Sequence, residues 1–269
     1  MKQHLKYLKV WEWVKHHHLL TAGAVGLILA SCIVLWGASL RLPDLNSFED
    51  RIFRQSTKIF DRTGEVLLFD VHENIRRTIV EIEDVSINMQ HAAIAIEDES
   101  FYDHIGVDVR ATIRAVLYNV LSGDPLGGQG GSTITQQVVK NALLEPDKKI
   151  SRKIKEWALA IKLEGTLSKD EILEIYLNET PYGGSIYGVK EATRSYFGKE
   201  PDAVTIAEAA YLAAMPQAPT YFSPYGSHVD ELEIRKNFVL QKMLDNEFIT
   251  EDEYADALVE EVEFLPREN

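Results

Sequence analysis

Two adjacent carboxylates, Glu97 and Asp98, close a run of small apolar residues, Ala92 to Ile96, and are followed by Phe101, Tyr102, Asp103, His104 and Gly106. A carboxylate at the end of a buried run is partly desolvated, which disfavours its charged form and raises its pKa. A glutamate so prepared can accept or donate a proton near neutral pH. The structural alternative is a helix cap or a pair with a nearby base, and an acidic pair alone does not separate the two. The second group able to do chemistry is basic. Residues 140–164 carry seven bases against four acids, whereas residues 230–269 carry thirteen acids against four bases, in a chain of formal net charge −14. A basic island in an acidic protein suits an anion held locally and argues against nucleic acid held over a broad face. With Cys32 the only cysteine, one chain can build no disulfide and no cysteine-based metal site. No second histidine lies at ligand spacing from His104.

Several elements must position these groups. Gly127, Gly128, Gly130 and Gly131 form a loop that is flexible or closely approached by a ligand. Thr133 with Gln136 fits a capping box, so a helix starts there, and helix starts bind anions through free N–H groups. Lys140 follows two turns on, without a Walker lysine pattern. Residues 151–164 predict a helix with Ile154, Trp157, Ala158 and Ile161 on its buried face and Arg152, Lys153 and Glu156 on its polar side, where the purely structural alternative is an exposed Arg152–Glu156 pair. Further helices are expected near 169–178 (box Ser168/Glu171), 188–197, 206–214 (box Thr205/Glu208, ended by Pro216), 230–245 and 251–260 (box Thr250/Glu253). Residues 109–121 place Val109, Ile113, Val116, Leu117, Val120 and Leu121 on one face, which either packs in the core or dips into a membrane surface. Ile59 and Phe60, then Val66, Leu67 and Phe69 around Asp61-Arg62-Thr63-Gly64, read as a hairpin.

Leu19 to Leu40 holds no charge over twenty-two residues, long enough to span a bilayer, and lacks the shorter apolar region of a cleaved signal. Lys2, Lys6, Lys9 and Lys15 precede it and Arg41 alone follows closely, so the N-terminus stays in the cytoplasm and the rest lies outside. Trp11, Trp13 and Trp36 suit the interfaces, and His16 to His18 read as a juxtamembrane flank. The expected organisation is a cytoplasmic tail (1–18), a transmembrane helix (19–40), a stalk (41–55), a main domain (56–228) and a helical C-terminal extension or connector (229–269).

Five ordered segments make the chain similar to the peptidoglycan glycosyltransferases, glycosyltransferase family 51. They are EDESFYDHIG (97–106), GGSTITQQVVKN (130–141), RKIKE (152–156), KDEILEIYLNETPYGG through YFGK (169–199) and AEAAYLAAMPQAPTYFSP (207–224). The resemblance implies a mainly α, lysozyme-like, two-lobed domain with a short N-terminal β-hairpin, preceded by one transmembrane helix in the cytoplasmic membrane. Its implied substrates are lipid II and the growing glycan strand, with other cell-wall synthesis proteins as partners and no nucleic acid. Glu97 matches the family's general base. Glu156 matches its second essential glutamate, which orients the donor or holds a divalent cation (Mg²⁺ or Mn²⁺); no organic cofactor is implied. Lys140, Arg152 and Lys153 match diphosphate-contacting bases, and Asp98, Ser132, Thr133, Gln136 and Gln137 match accessory substrate-binding positions.

Two other classes compete. A muralytic enzyme of similar fold needs a carboxylate pair but no cluster of bases. A non-catalytic scaffold would have no reason to keep Glu97, Lys140, Arg152, Lys153 and Glu156 together. The Ser-x-x-Lys and Lys-Thr-Gly patterns of a transpeptidase are absent from these 269 residues. The acidic tail helices nevertheless resemble the connector of bifunctional relatives, so a monofunctional enzyme and the front of a longer protein both fit.

Overall fold

The structure, a computed structural model, describes residues 17–39, 57–60, 62, 67–71, 77–121, 131–143 and 150–267. The chain forms two compact units, residues 1–41 and 42–269. In the first, helix α1 (His18–Ser39, 22 residues) covers the uncharged run. At 1.5 Å per residue it is about 33 Å long. Among the described residues no helix is long and apolar enough to cross a membrane; α1 itself carries no Asp, Glu, Lys or Arg. Trp11, Trp13 and the expected stalk lie outside the described residues.

The second unit is mostly helical. Strands β1 (Thr57–Phe60) and β2 (Leu67–Val71) pair antiparallel, as expected, with a register shift at Ile59/Phe60; most of the intervening turn lies outside the described residues. Then come α2 (Ile87–Glu97), α3 (Val109–Leu121), α4 (Ile134–Val138, continued by a π turn, Val139–Leu143), α5 (Ile150–Glu164) and α6 (Lys169–Glu179). A two-stranded hairpin, β3 (Pro181–Gly183) and β4 (Ile186–Tyr187), precedes α7 (Val189–Phe197), α8 (Ile206–Ala214), α9 (Val229–Asp245) and α10 (Glu251–Val259). All four capping boxes form as the sequence predicts, at Thr133, Ser168, Thr205 and Thr250.

The core sits where α2, α8 and α9 pack on one another. Ala92, Ala93 and Ala95 of α2 and Ala207, Ala209, Ala210, Ala213 and Ala214 of α8 are buried, and their short side chains let the helices approach closely. Residue 229 opens the stretch expected as an extension, yet its helix α9 buries Leu232, Val239, Leu240 and Met243 in this core. Lys236, also buried, pairs with Glu233 at 2.7 Å, and Glu233 in turn accepts from the Tyr211 hydroxyl. A second packing group joins α4 to α5 and α6.

Helix α5 turns a different face inward from the one its sequence suggests. Glu156, Leu159, Ala160 and Leu163 are buried, whereas Ile161 is 47 % exposed and Ile154, Trp157 and Ala158 are half-buried. The glutamate goes inside because Lys153, one turn earlier, bonds its carboxylate and removes the cost of an unpaired buried charge. Glu156, expected on the polar side, is thus buried, and its ion pair is with Lys153 instead of the Arg152 of the structural alternative. On α3, Val109 and Ile113 are 62 % and 54 % exposed, so this part of the apolar face does not pack in the core. The side chains of Val116, Leu117, Val120 and Leu121 lie outside the described residues.

Candidate active site

Glu97 is the last residue of α2, and its backbone is delivered by a helix buried on nearly every side. Part of its carboxylate stays open to a cavity of about 630 Å³. Among the described residues its side chain takes one direct hydrogen bond, from a neutral donor, Gln137 Nε2, at 2.6 Å from Oε2. Desolvation raises its pKa above the usual carboxylate range, against weaker lowering by the Gln137 bond, Arg235 and Lys140. Tyr176 and Tyr182, both buried, lie close enough for the charge on Glu97 to push their own ionisation upward, added to the larger effect of burial.

The neighbouring Asp98 is held differently. His104 Nε2 lies 3.0 and 2.9 Å from its two oxygens, and the Ile134 N–H donates to Oδ2 at 2.9 Å. A free N–H at the start of α4 was expected to meet a ligand anion; Asp98 takes the Ile134 N–H instead. The Gly106 N–H donates to His104 Nδ1 at 3.1 Å. Because a backbone N–H can only donate, Nδ1 must accept, which puts the ring proton on Nε2, facing Asp98. Gly106 has φ +91°, and a Cβ there would sit 2.7 Å from the Ala160 carbonyl oxygen. Glycine is required by both conformation and space.

The loop before α4 supplies Ser132 and Thr133 to the cavity wall. Gly131 lets it lie against α3, where an added Cβ would come within 2.9 Å of Ala115 Cβ. Gly127, Gly128 and Gly130 lie outside the described residues. Thr133 accepts from the Gln136 N–H at 3.2 Å and donates to the Gly106 carbonyl at 2.7 Å. Gln136 is fully buried, its side-chain oxygen closing the cap on Thr133 N–H, and it does not reach the cavity wall. Lys140, in the π turn, is exposed and lines the cavity. Glu156 also lines the cavity but is only 2 % exposed, and Lys153 Nζ bridges its carboxylate to Ser132 Oγ at 2.8 Å. Arg152, half-buried, is not among the lining residues described.

Sequence reasoning missed three further cations of the cavity lining. Arg235 and Lys242 reach the cavity from α9, and Arg114 reaches it from α3. Arg235 is fixed by a 2.8 Å bond to the Ala214 carbonyl and stands over the Phe222 ring at 5.4 Å. Glu99 joins the other two, 3.6 Å from Arg114 and 3.1 Å from Lys242. The i, i+7 spacing of Arg235 and Lys242 on one helix was the available signal, hidden within the most acidic stretch of the chain.

Among the described residues no group of three or more His, Cys, Asp and Glu converges on a point that could hold a metal. The Glu156 carboxylate is already taken by an ammonium group. Among the described residues, these side chains do not fit a protein-held divalent cation.

The family model described as Transglycosylase matches residues 64–244. Penicillin-binding protein 1A of Escherichia coli (strain K12) is 39 % identical over 246 residues, covering 88 % of this chain and 28 % of its own length. Penicillin-binding protein 1A of Aquifex aeolicus is 36 % identical over 243 residues, covering 89 % and 33 %. Penicillin-binding protein 1F of Bacillus subtilis is 40 % identical over 206 residues, covering 77 % and 28 %. A crystal structure of penicillin-binding protein 1A from Haemophilus influenzae is 26 % identical, with a TM-score of 0.46, over 80 % of this chain and 22 % of that one. The chain thus spans about a third or less of the length of these relatives. It belongs to the transglycosylase family, the peptidoglycan glycosyltransferases to which its ordered motifs point.

Proposed function

We propose that this chain is a membrane-anchored peptidoglycan glycosyltransferase that polymerises lipid II into β-1,4 glycan strands and releases undecaprenyl diphosphate. The observation that carries this reading is the pairing of a desolvated carboxylate, Glu97, with Lys140, Arg114, Arg235 and Lys242 around one cavity. Glu97 accepts the proton of the acceptor sugar's 4-hydroxyl. The freed oxygen pair bonds to the donor's anomeric carbon from the face opposite the diphosphate, inverting it. The carbon–oxygen bond to the diphosphate breaks, and its electrons leave on the phosphate oxygen. Cations placed beforehand around that oxygen stabilise charge that appears only in the transition state. Glu97 then returns its proton to solvent.

Gln137 keeps the base oriented without protonating it, and Asp98 anchors the start of α4 beside it. Ser132, Thr133 and Lys140 stand at the cavity wall to hold donor or acceptor, while Lys153, Arg152 and Glu156 hold the flank on α5. Gln136 serves the site through the Thr133 cap. The domain would divide into the two lobes of a lysozyme-like fold. Its anchor is α1, by the lysines on the N-terminal side, with the catalytic domain outside the cytoplasmic membrane. Exposed Val109 and Ile113 bring α3 to the bilayer surface where the lipid-linked diphosphate sits. The growing strand and other cell-wall synthesis proteins complete its partners.

Labelled lipid II, incubated with the full chain in detergent or vesicles, should yield glycan polymer, and Glu97→Gln should yield none. Release of soluble muropeptides from purified sacculi, with lipid II untouched, would instead establish the hydrolase reading.

A further inference from the structure

Lys169 is the first residue of α6, next to the Ser168 cap. A cation in the first helical turn opposes the helix dipole, and lysine is seldom withdrawn from water without a partner. This one is only 19 % exposed. Its Nζ donates to the His104 carbonyl at 2.7 Å and to Glu164 Oε1 at 2.6 Å, and stands 4.6 Å from the centre of the Phe101 ring. Glu164 Oε1 also accepts from Thr135 Oγ1 at 2.6 Å. One ammonium group therefore ties together the turn after Asp98, the end of α5 and the first turn of α4. It lies outside the cavity wall.

We propose that Lys169 is a positioning residue: by gripping the His104 carbonyl and, through Glu164, the Thr135 hydroxyl, it sets the turn that aims His104 at Asp98 and the helix start that aims Gln137 at Glu97. Two chains of contact lead from it to the base. The first runs His104 carbonyl, the 104–106 turn, the Gly106 N–H to Nδ1 bond, the Nε2 proton and Asp98. The second runs Glu164, Thr135 and α4 to Gln137, two residues further along the chain. Without the ammonium group, Glu164 would be a nearly buried carboxylate with no cation, and the 104–106 turn would lose its outer fastening. A shift of roughly 1 Å at reacting groups costs about 10²-fold in rate, so a residue that never touches substrate can govern turnover.

The kinetic arm of the test rests on the transferase reading; the spectroscopic arm does not. Lys169→Met keeps the stem against Phe101 and removes the charge. In this variant the ¹⁵N signals of His104 should lose the pattern of a single Nε2–H tautomer that the parent shows. With the protein still folded by thermal melt at the assay temperature, kcat for lipid II should fall about tenfold to 10²-fold. KM should change by less than about threefold, since Lys169 makes no contact in the cavity. Glu164→Gln added to Lys169→Met should relieve the unpaired charge and restore melting temperature while leaving kcat low. An unchanged tautomer pattern, parental kcat in Lys169→Met, or full recovery of kcat in the double variant would each overturn the proposal. Absence of polymer from the parent protein, with the tautomer pattern lost in Lys169→Met, would sink the lipid II reading and leave the positioning role standing.

Discussion

Glu97 and Glu156 are the same residue type on two walls of one cavity, and their surroundings give them opposite characters. Glu97 meets a neutral amide and keeps open surface, with Arg235 and Lys140 acting on it only through space. Glu156 is closed off from solvent and bonded to Lys153. A base must keep a lone pair free for the incoming proton; Glu97 accepts one bond from a neutral amide, whereas Glu156 has one oxygen bonded to an ammonium group. The partner of each carboxylate, more than its burial, separates the one proposed to move a proton from the one proposed to fix a flank.

The strongest way to break this comparison is to neutralise each in turn. Glu97→Gln should lower lipid II turnover about 10²–10⁴-fold, the usual contribution of a general base, with no loss of melting temperature. Glu156→Gln should act mainly on the flank, so a variant that abolishes turnover as completely as Glu97→Gln would reverse the assignment. On stability the order inverts. Lys153→Ala leaves Glu156 buried without its cation and should cost about 1–2 kcal/mol by chemical denaturation, below the roughly 3–5 of a fully buried pair because the lysine is 42 % exposed. Gly106→Ala should cost at least as much, about 1–3 kcal/mol from its positive φ alone.

The pH profile sharpens the contrast further. As the proposed base, Glu97 would act only when ionised, and burial holds its pKa up, so activity should be present above that raised pKa and lost as pH falls through it. The acid limb should then lie above the ordinary carboxylate range. Gln137→Leu removes a bond that favours the charged form, so the limb should move to higher pH; no movement would mean that another group sets it. The smallest effect is expected at the mouth. Glu99 competes for Arg114 and Lys242 through exposed contacts worth about 0.2–1 kcal/mol, so Glu99→Ala should lower KM for lipid II by about 1.5- to 5-fold.

Local chemistry was legible in the sequence and long-range placement was not. The capping boxes depend on residues three apart, and all four form where the side chains predict them. The apolar run before Glu97 is buried for the reason its composition suggests. The inward face of α5 was misread because aliphatic residues occur on both of its sides, and the deciding contact, Lys153 with Glu156 and Ser132, joins it to another loop. Arg235 lies 138 positions from Glu97, on a helix that composition marks as an acidic tail. Lys169 carries no local mark that distinguishes it; only the fold places His104 and Glu164 against it.

Trp157 directly follows Glu156, and its buried indole N–H has no hydrogen-bond partner among the described residues. The other three tryptophans, Trp11, Trp13 and Trp36, all precede the main domain. A form of the protein beginning near residue 45 therefore carries a single tryptophan, one residue from the ion pair on the flank of the cavity. Its emission reports on that flank directly, so titration with a diphosphate-bearing sugar could be followed by light with no label attached.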